Sequence, residues 1–242
     1  AGRATGRGWH YALTWLVCAV AVRVFFRLRY EGRPRLPDGP YLLCFNHQSW
    51  ADPFILLAIL PWRRRITFFG PKETDLRIGR RNRLIAWSGM ALPYRPDKTD
   101  LLGASRRVQA VFAAGGVLAI AGEGHIHTGE ATLLPLDEGT AFFAQHAGLP
   151  IVPVALNGTS WLVFGRRLRV RVGVPIPTAG RSTREAMREL THETWQALHA
   201  LCAGYPDPVP PRVGSLWFRF TEAFNEWPEG VRPPVDEATR DD

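Results

Sequence analysis

Short apolar runs alternate with longer amphipathic segments from residue 41 to residue 203, and this alternation constrains the fold more than any other feature. The apolar runs have the length and composition of buried strands, at residues 41–45, 66–70, 90–94, 117–121, 151–156 and 168–174. The segments between them have helical periodicity or helix-boundary residues, at 52–60, 74–87, 101–114, 137–147 and 182–203. Alternating strands and helices predict an α/β fold in which helices cover a sheet.

The N-terminal segment, residues 9–30, is apolar but is interrupted by Arg23, Arg27 and Arg29. Its uninterrupted part, residues 11–22, is shorter than the roughly 20 residues that a membrane-spanning helix needs. The pattern favours a helix over 9–28 that lies in a membrane interface or enters it without crossing. Two other interpretations stay open: a secretory signal, because basic residues precede the apolar stretch, and an ordinary core helix.

The chain is thereby divided into three regions. Residues 1–30 are predicted to form an N-terminal membrane-associating helix, and residues 31–204 the main α/β domain. Residues 205–242 form a tail that is rich in proline and aromatic residues.

The charge and the tryptophan content indicate the kind of partner. The 242 residues include 30 Lys and Arg against 22 Asp and Glu, a net charge of +8, and nine tryptophans. A basic surface attracts nucleic acid, anionic lipid or a phosphorylated substrate, unless the charge serves only solubility. Indole rings favour the membrane–water interface, and no zinc-finger or RNA-binding motif is visible. The sequence therefore favours a lipid partner over nucleic acid.

His47 and Asp52 lie five residues apart, where the predicted strand 41–45 passes into the predicted helix 52–60. An imidazole at a strand end is accessible, and a nearby carboxylate can fix its tautomer and stabilise its protonated form. The pair is a candidate general base for a hydroxyl. Alternatively, Asp52 is the N-cap of the helix, with Pro53 at the first helical position, and His47 is structural.

A second polar turn follows the strand at 117–121. Glu123 lies there between Gly122 and Gly124, and His125 follows. Ligands bind at the carboxyl ends of strands in open α/β sheets, and glycine lets backbone N–H groups approach them closely. A metal site formed by Glu123 and the neighbouring histidines is an alternative, although the spacing matches no zinc pattern.

Two cations follow other predicted strands. Arg95 comes directly after the segment 90–94, and Lys72 follows the strand 66–70. A guanidinium fork at the end of an extended segment can bind a phosphate, and an ammonium can add a second cation. Either residue on its own is better explained as a solvated surface charge.

The three cysteines are odd in number and far apart, so they indicate no disulfide framework and no metal-site spacing. A reducing cytosolic setting is in keeping with them.

In their order and spacing, these blocks resemble the motifs of the 1-acylglycerol-3-phosphate O-acyltransferase family, the glycerolipid acyltransferases. The first motif, Asn-His-x4-Asp, is matched by Asn46, His47 and Asp52. The phosphate-binding arginine of the second motif and its upstream Lys-Glu pair are matched by Arg95, Lys72 and Glu73.

The third and fourth motifs differ in how well they match. The third, Phe-Pro-Glu-Gly-Thr-Arg-Ser, is matched only at Glu123 and Gly124, because His125, Ile126 and His127 replace its Thr-Arg-Ser. The fourth, a Val-Pro strand, is matched within residues 151–154. The resemblance covers residues 30–176.

The resemblance implies an O-acyltransferase with a single mixed β-sheet flanked by helices, acting in phospholipid biosynthesis. Acyl-CoA or acyl carrier protein would be the acyl donor, with no other cofactor and no metal, and lysophosphatidic acid or a related lysolipid the acceptor. His47 would be the general base and Asp52 its partner. The substrate-binding residues would be Arg95, Lys72, Glu123, Gly124 and His125. The enzyme is expected to associate with the cytoplasmic face of a membrane.

Three alternatives remain. Because the third motif lacks its arginine, the acceptor could be a different lipid, or the protein a non-catalytic, membrane-binding relative. A metal-dependent hydrolase that uses His47, Glu123, His125 and His127 is the third. Ser49 lies close to His47, but the Gly-x-Ser-x-Gly elbow of a serine hydrolase is absent from the sequence.

Overall fold

The structure is a computed structural model that describes residues 8–62, 64–72, 79–94, 101–127, 129–160, 162 and 164–206, with only the backbone at 71, 72, 79–81 and 101. Its strands are β1 (Arg27–Glu31), β2 (Tyr41–Phe45), β3 (Ile66–Lys72), β4 (Ala91–Tyr94), β5 (Val117–Ala121), β6 (Ile151–Asn157) and β7 (Arg167–Val172). Its helices are α1 (Trp9–Phe25), α2 (Asp52–Ile59), α3 (Gly79–Ser88), α4 (Leu101–Ala113), α5 (Gly139–Ala147) and α6 (Arg184–Cys202), with a 3-10 turn at Arg33–Arg35.

The described strands form one sheet in the order β1-β7-β6-β2-β5-β3-β4. Strands β6, β2, β5, β3 and β4 are parallel, whereas β7 is antiparallel to β6 and β1 is parallel to β7. The predicted single mixed sheet flanked by helices is confirmed. Because these five adjacent strands run the same way, their carboxyl ends meet at one edge, where open α/β sheets bind ligands.

The core lies on both faces of the sheet. Strand β2 is buried along its whole length, as a central parallel strand is expected to be. Its residues Leu43 and Phe45 pack in the layer that includes α1 and α2. Leu42 and Cys44 pack in the opposite layer, which includes α4, α5 and α6. This double burial holds the end of β2, and the residues that follow it, in a fixed position.

Strand β1 corrects the prediction at the N-terminus. The predicted helix over 9–28 ends at Phe25, and the next strand pairs with β7 at the edge of the sheet. Leu28 and Tyr30 pack against the core, and the charged residues that alternate with them are exposed. The arginines here therefore follow the two-residue period of a strand, and the predicted domain boundary at residue 30 falls inside the sheet.

The other predicted elements agree with the structure to within a few residues at each end. The predicted helix at 74–87 is described from Gly79 onward, and its first residues, 74–78, lie outside the described part. Helix α6 begins at Arg184 because the hydroxyl of Thr183 accepts a hydrogen bond from the Ala186 backbone N–H at 3.1 Å. Of the predicted tail 205–242, only residues 205 and 206 are described.

Helix α1 packs on α2 through one face and exposes the other. Its buried residues are Tyr11, Thr14, Ala19 and Val22, and the Tyr11 hydroxyl accepts a hydrogen bond from the backbone N–H of Ile66 at 2.9 Å. Its exposed residues include an apolar stripe formed by Trp9, Leu13, Leu16, Val17, Val20 and Val24. These positions recur at helical spacing, so the stripe is one continuous apolar face. The described part of the chain contains no helix that is both long and apolar enough to span a bilayer.

Candidate active site

His47 and Asp52 form a hydrogen-bonded pair directly after the carboxyl end of β2. The Nδ1 atom of His47 lies 2.9 Å from Oδ2 of Asp52. The imidazole is 18% exposed and the carboxylate is fully buried. Among the described residues no partner contacts Nε2 of His47. In the described part of the chain, the pair therefore leaves Nε2 without a hydrogen-bond partner, while Nδ1 is held by a buried carboxylate.

The carboxylate of Asp52 is fixed by the loop that precedes it. Its Oδ2 atom also accepts the backbone N–H groups of Gln48 at 2.7 Å and Ser49 at 2.8 Å. Asp52 is itself the first residue of α2, and Ala51 occupies the N-cap position, so the alternative N-cap role for Asp52 is wrong. A carboxylate at this position also lies at the N-terminus of α2, where the helix dipole interacts favourably with negative charge.

Glu123 follows β5, the neighbour of β2, and points inward. Its Oε2 atom accepts the backbone N–H of His47 at 2.8 Å, and its Oε1 atom accepts the backbone N–H of Leu134 at 2.9 Å. Glu123 is 2% exposed. Both oxygens thus have backbone partners in the interior, and the carboxylate contacts the loop of His47; its role in substrate binding stays a prediction.

The glycines beside Glu123 allow a close turn. A Cβ at Gly122 would lie 2.8 Å from Sγ of Cys44, and one at Gly124 would lie 2.4 Å from Oδ2 of Asp137. Gly124 also has a φ of 71°, in the left-handed region that favours glycine. Gly124 and His125 are exposed at this turn. The turn thus places two predicted site residues at the same edge as His47.

The predicted cations are only partly described. Lys72 is the last residue of β3, and its backbone pairs with that of Tyr94, the last residue of β4. Lys72 therefore ends its strand at the edge that carries His47. Arg95, which follows Tyr94 in sequence, and Glu73 lie outside the described residues.

Three buried polar residues near the site form hydrogen bonds that the sequence analysis did not predict. Asn46 donates to Leu156 O at 2.8 Å and accepts from Leu156 N at 2.7 Å, which extends the pairing of β2 with β6. Gln48 donates to Gly129 O at 2.9 Å. Glu130 accepts from Gly158 N at 2.6 Å, and burial raises the pKa of its carboxyl. Asn46 belonged to a motif, but no sequence pattern marks Glu130.

The described part of the site offers no activated nucleophile. Ser49 is 6% exposed, and its hydroxyl accepts a hydrogen bond from the Ala51 N–H at 3.2 Å. Burial raises the pKa of the Cys44 thiol to about 12, so the thiol stays protonated. Within the described ranges no three His, Cys, Asp or Glu side chains form a group that could hold a metal ion.

Comparison with known proteins agrees with this geometry. A family model described as Acyltransferase matches residues 27–157, more than half of the chain, and begins at the first residue of β1. The chain is 30% identical over 156 residues to the 1-acyl-sn-glycerol-3-phosphate acyltransferase of Saccharomyces cerevisiae, covering 61% of this chain and 50% of the relative. It is 24% identical over 159 residues to the chloroplastic 1-acyl-sn-glycerol-3-phosphate acyltransferase BAT2 of Brassica napus, covering 63% and 44%. The chain thus spans about half the length of the curated relatives that it matches.

A solved structure shares the fold. The crystal structure of the 1-acyl-sn-glycerophosphate (LPA) acyltransferase PlsC from Thermotoga maritima matches with a TM-score of 0.61 and 18% identity, over 82% of each chain. The family model and the curated relatives agree with the family that the sequence motifs resemble, and the solved structure shares the fold. The chain therefore belongs to the acyltransferase family that includes the 1-acyl-sn-glycerol-3-phosphate acyltransferases.

Proposed function

We propose that the protein transfers a fatty acyl group from acyl-CoA or acyl carrier protein to a hydroxyl of lysophosphatidic acid or a related lysolipid. His47 acts as the general base, at the cytoplasmic surface of a membrane. The observation that carries the proposal is the pairing of a partly exposed imidazole with a fully buried carboxylate, with Nδ1 and Oδ2 2.9 Å apart. That arrangement suits proton removal by Nε2, because Asp52 holds the proton on Nδ1 and stabilises the imidazolium that forms.

The reaction needs no acyl-enzyme. Nε2 of His47 takes the proton of the acceptor hydroxyl as its oxygen attacks the thioester carbonyl, giving a tetrahedral intermediate. The intermediate collapses with cleavage of the carbon–sulfur bond, and the departing thiolate takes the proton back from the imidazolium. An ester and a free thiol result, and His47 returns to its neutral form.

Replacing the base tests the catalytic proposal. We expect His47→Ala to lower kcat by about 10²–10⁴-fold, the usual contribution of a general base. His192→Ala is the matched control, because His192 is exposed on α6. Turnover is measured with one acyl-CoA and a panel of lysolipid acceptors, with the products identified by mass spectrometry. An unchanged kcat in folded His47→Ala refutes the role of His47, and no product with any acceptor favours a non-catalytic relative.

The cations that end β3 and follow β4 are proposed to bind the acceptor phosphate, with Gly124 and His125 near the same substrate. Lys72→Ala and Arg95→Ala should raise KM for lysophosphatidic acid and leave KM for a monoacylglycerol unchanged, because only the former carries a phosphate. Equal changes for both acceptors would contradict phosphate binding.

Membrane attachment is proposed to use the apolar stripe of α1. Exposed apolar faces of this extent mark interaction sites with membranes or proteins. The carbonyl oxygen of Phe25, at the end of α1, accepts the backbone N–H of Gly165 at 2.7 Å, in the loop that joins β6 to β7. That loop leaves β6 at the edge that carries His47. The end of the stripe therefore lies at the same edge of the sheet as the base, where a lysolipid leaving a bilayer would reach it.

Charge substitutions within the stripe test this attachment. We expect Leu16→Glu and Val20→Glu each to lower partition onto phosphatidylglycerol vesicles at least tenfold, about 1.4 kcal/mol. Leu102→Glu is the control, because Leu102 is 78% exposed on α4, in the opposite layer. Sedimentation with vesicles measures the bound fraction. If the control and stripe variants lose binding equally, the stripe is not the attachment surface.

A further inference from the structure

His127 lies against the carboxylate that holds the backbone of His47. Its Nε2 atom is 2.6 Å from Oε1 of Glu123, and the two side chains are 13% and 0% exposed. Nε2 has no aligned hydrogen bond among the described residues, so the contact with Glu123 is a close electrostatic one. In the motif that this stretch resembles, the position holds a serine, and the arginine position before it is Ile126 here. His127 is therefore a feature of this chain.

The backbone of His47 is held on both sides by this pair. Its N–H donates to Oε2 of Glu123 at 2.8 Å, and its carbonyl oxygen accepts the backbone N–H of His127 at 3.0 Å. Its ring is held separately by Asp52. Three atoms of one residue are thus fixed by partners on two neighbouring loops, and Glu123 is common to the contacts of His47 and His127.

We propose that His127 is a positioning residue that acts through Glu123 on His47. The inference concerns the same site as the proposed function, and its kinetic tests rest on that function. A carboxylate with no exposed surface is stable as an anion only when donors or cations surround it. Without the imidazole, Oε1 of Glu123 keeps only the N–H of Leu134. The carboxylate then has one partner fewer on Oε1, is free to rotate, and holds the N–H of His47 less firmly.

Weakening the hydrogen bond between Glu123 and the N–H of His47 should lower kcat more than it changes KM. A displacement of the base by about 1 Å can lower a rate 10²-fold, because the reacting atoms must be aligned. The residues proposed to bind the acceptor phosphate lie on other strands, so KM should change little. A change in kcat at constant KM separates positioning of the base from a substrate contact by His127.

Two substitutions at one position provide the first test. Glutamine places an N–H donor near the position of Nε2, whereas phenylalanine keeps the ring shape without a donor. We expect His127→Phe to lower kcat at least tenfold with KM within twofold, and His127→Gln to stay within threefold of the wild type. Equal kcat in wild type and His127→Phe, or equal losses in both variants, would overturn the proposal.

A double-mutant cycle tests the route through Glu123. If His127 acts only on that carboxylate, Glu123→Gln and the double variant Glu123→Gln/His127→Phe have the same kcat within threefold. Multiplicative losses would mean that His127 acts by another route. Circular dichroism establishes that each variant is folded, and His127→Ala replaces His127→Phe in both tests if the latter does not fold.

Backbone hydrogen exchange decides the inference even without turnover. The amide of His47 should exchange at least tenfold faster in His127→Phe than in wild type, and at the wild-type rate in His127→Gln. Unchanged exchange in His127→Phe refutes the positioning role. Absence of turnover by the wild type would instead refute the proposed function alone.

Discussion

Replacing Asp52 by asparagine removes the charge behind His47 and keeps almost the same shape. The Oδ2 atom now accepts three hydrogen bonds, from Nδ1 of His47 and from the backbone N–H groups of Gln48 and Ser49. An asparagine oxygen can still accept the two backbone N–H groups. Hydrogen bonds to a charged group contribute about 1.5–3 kcal/mol and neutral ones about 0.5–1.5 kcal/mol, so the two retained bonds weaken by about 2 kcal/mol together.

The loss of stability should be moderate and the loss of activity large. Removing a negative charge from the first residue of α2 costs about a further 0.3–1 kcal/mol. The variant should remain folded, since domains are stable by about 5–15 kcal/mol. The imidazolium, however, loses a charge-assisted bond of about 1.5–3 kcal/mol, which corresponds to a fall in kcat of roughly 10–150-fold.

Urea denaturation and steady-state kinetics measure the two effects separately. Asp38→Asn is the matched control, because Asp38 is exposed and its carboxylate lies 3.7 Å from Nη2 of Arg64, a weak surface ion pair. The control should keep its kcat and its free energy of unfolding. If Asp52→Asn is folded and retains more than half of the wild-type kcat, the carboxylate does not assist His47 and the proposed base is wrong.

Three further substitutions probe the structure around the site. Tyr11→Phe removes the acceptor of the buried N–H of Ile66, so the free energy of unfolding in urea should fall by about 1–3 kcal/mol; no change would mean that water replaces the hydroxyl. Gly122→Ala would place a Cβ 2.8 Å from Sγ of Cys44, and this overpacking should lower the free energy of unfolding by about 1–3 kcal/mol. It should also lower kcat, because the adjacent turn moves. Burial raises the pKa of Glu130, so the folded state binds the proton of this carboxyl more tightly than the unfolded state does. The contribution of Glu130 to the free energy of unfolding therefore falls as pH rises above the ordinary carboxyl pKa of 4.5. Glu130→Gln should remove that component, which chemical denaturation between pH 4 and pH 8 would detect; an identical pH slope in both proteins would contradict it.

The sequence predicted the parts of the fold that depend on local pattern. Strands β2 and β5 have the predicted bounds, because each is a short apolar run buried on both faces. Strand β1 was not predicted, because it has only five residues and its partner β7 lies about 140 positions away in the sequence. Its alternating arginines were therefore assigned to a helix. Local periodicity over so few residues cannot decide between a helix end and an edge strand.

In the site, too, local sequence predicted some features, and contacts between distant segments determined the others. His47 and Asp52 were identified because five residues of sequence bring them together, and the structure places them 2.9 Å apart. The contact of Glu123 with the backbone N–H of His47 spans 76 residues, so local sequence could not predict it; the substrate-binding role of Glu123 was inferred from the third motif and stays a prediction. The apolar stripe of α1 could be seen only after the sheet and α2 had defined which side of that helix is covered.

The direct passage from α1 into β1 ties this helix, which we propose to contact lipid, to the sheet. Only Phe26 separates the two elements, and Tyr11 fastens the opposite end of the helix to the start of β3. Trimming the first 30 residues to obtain a water-soluble enzyme would therefore take most of an outer strand and part of the core with it. In the proposed membrane attachment, the rigid link between α1 and the sheet makes the depth of α1 in the bilayer determine the height of His47 above the lipid.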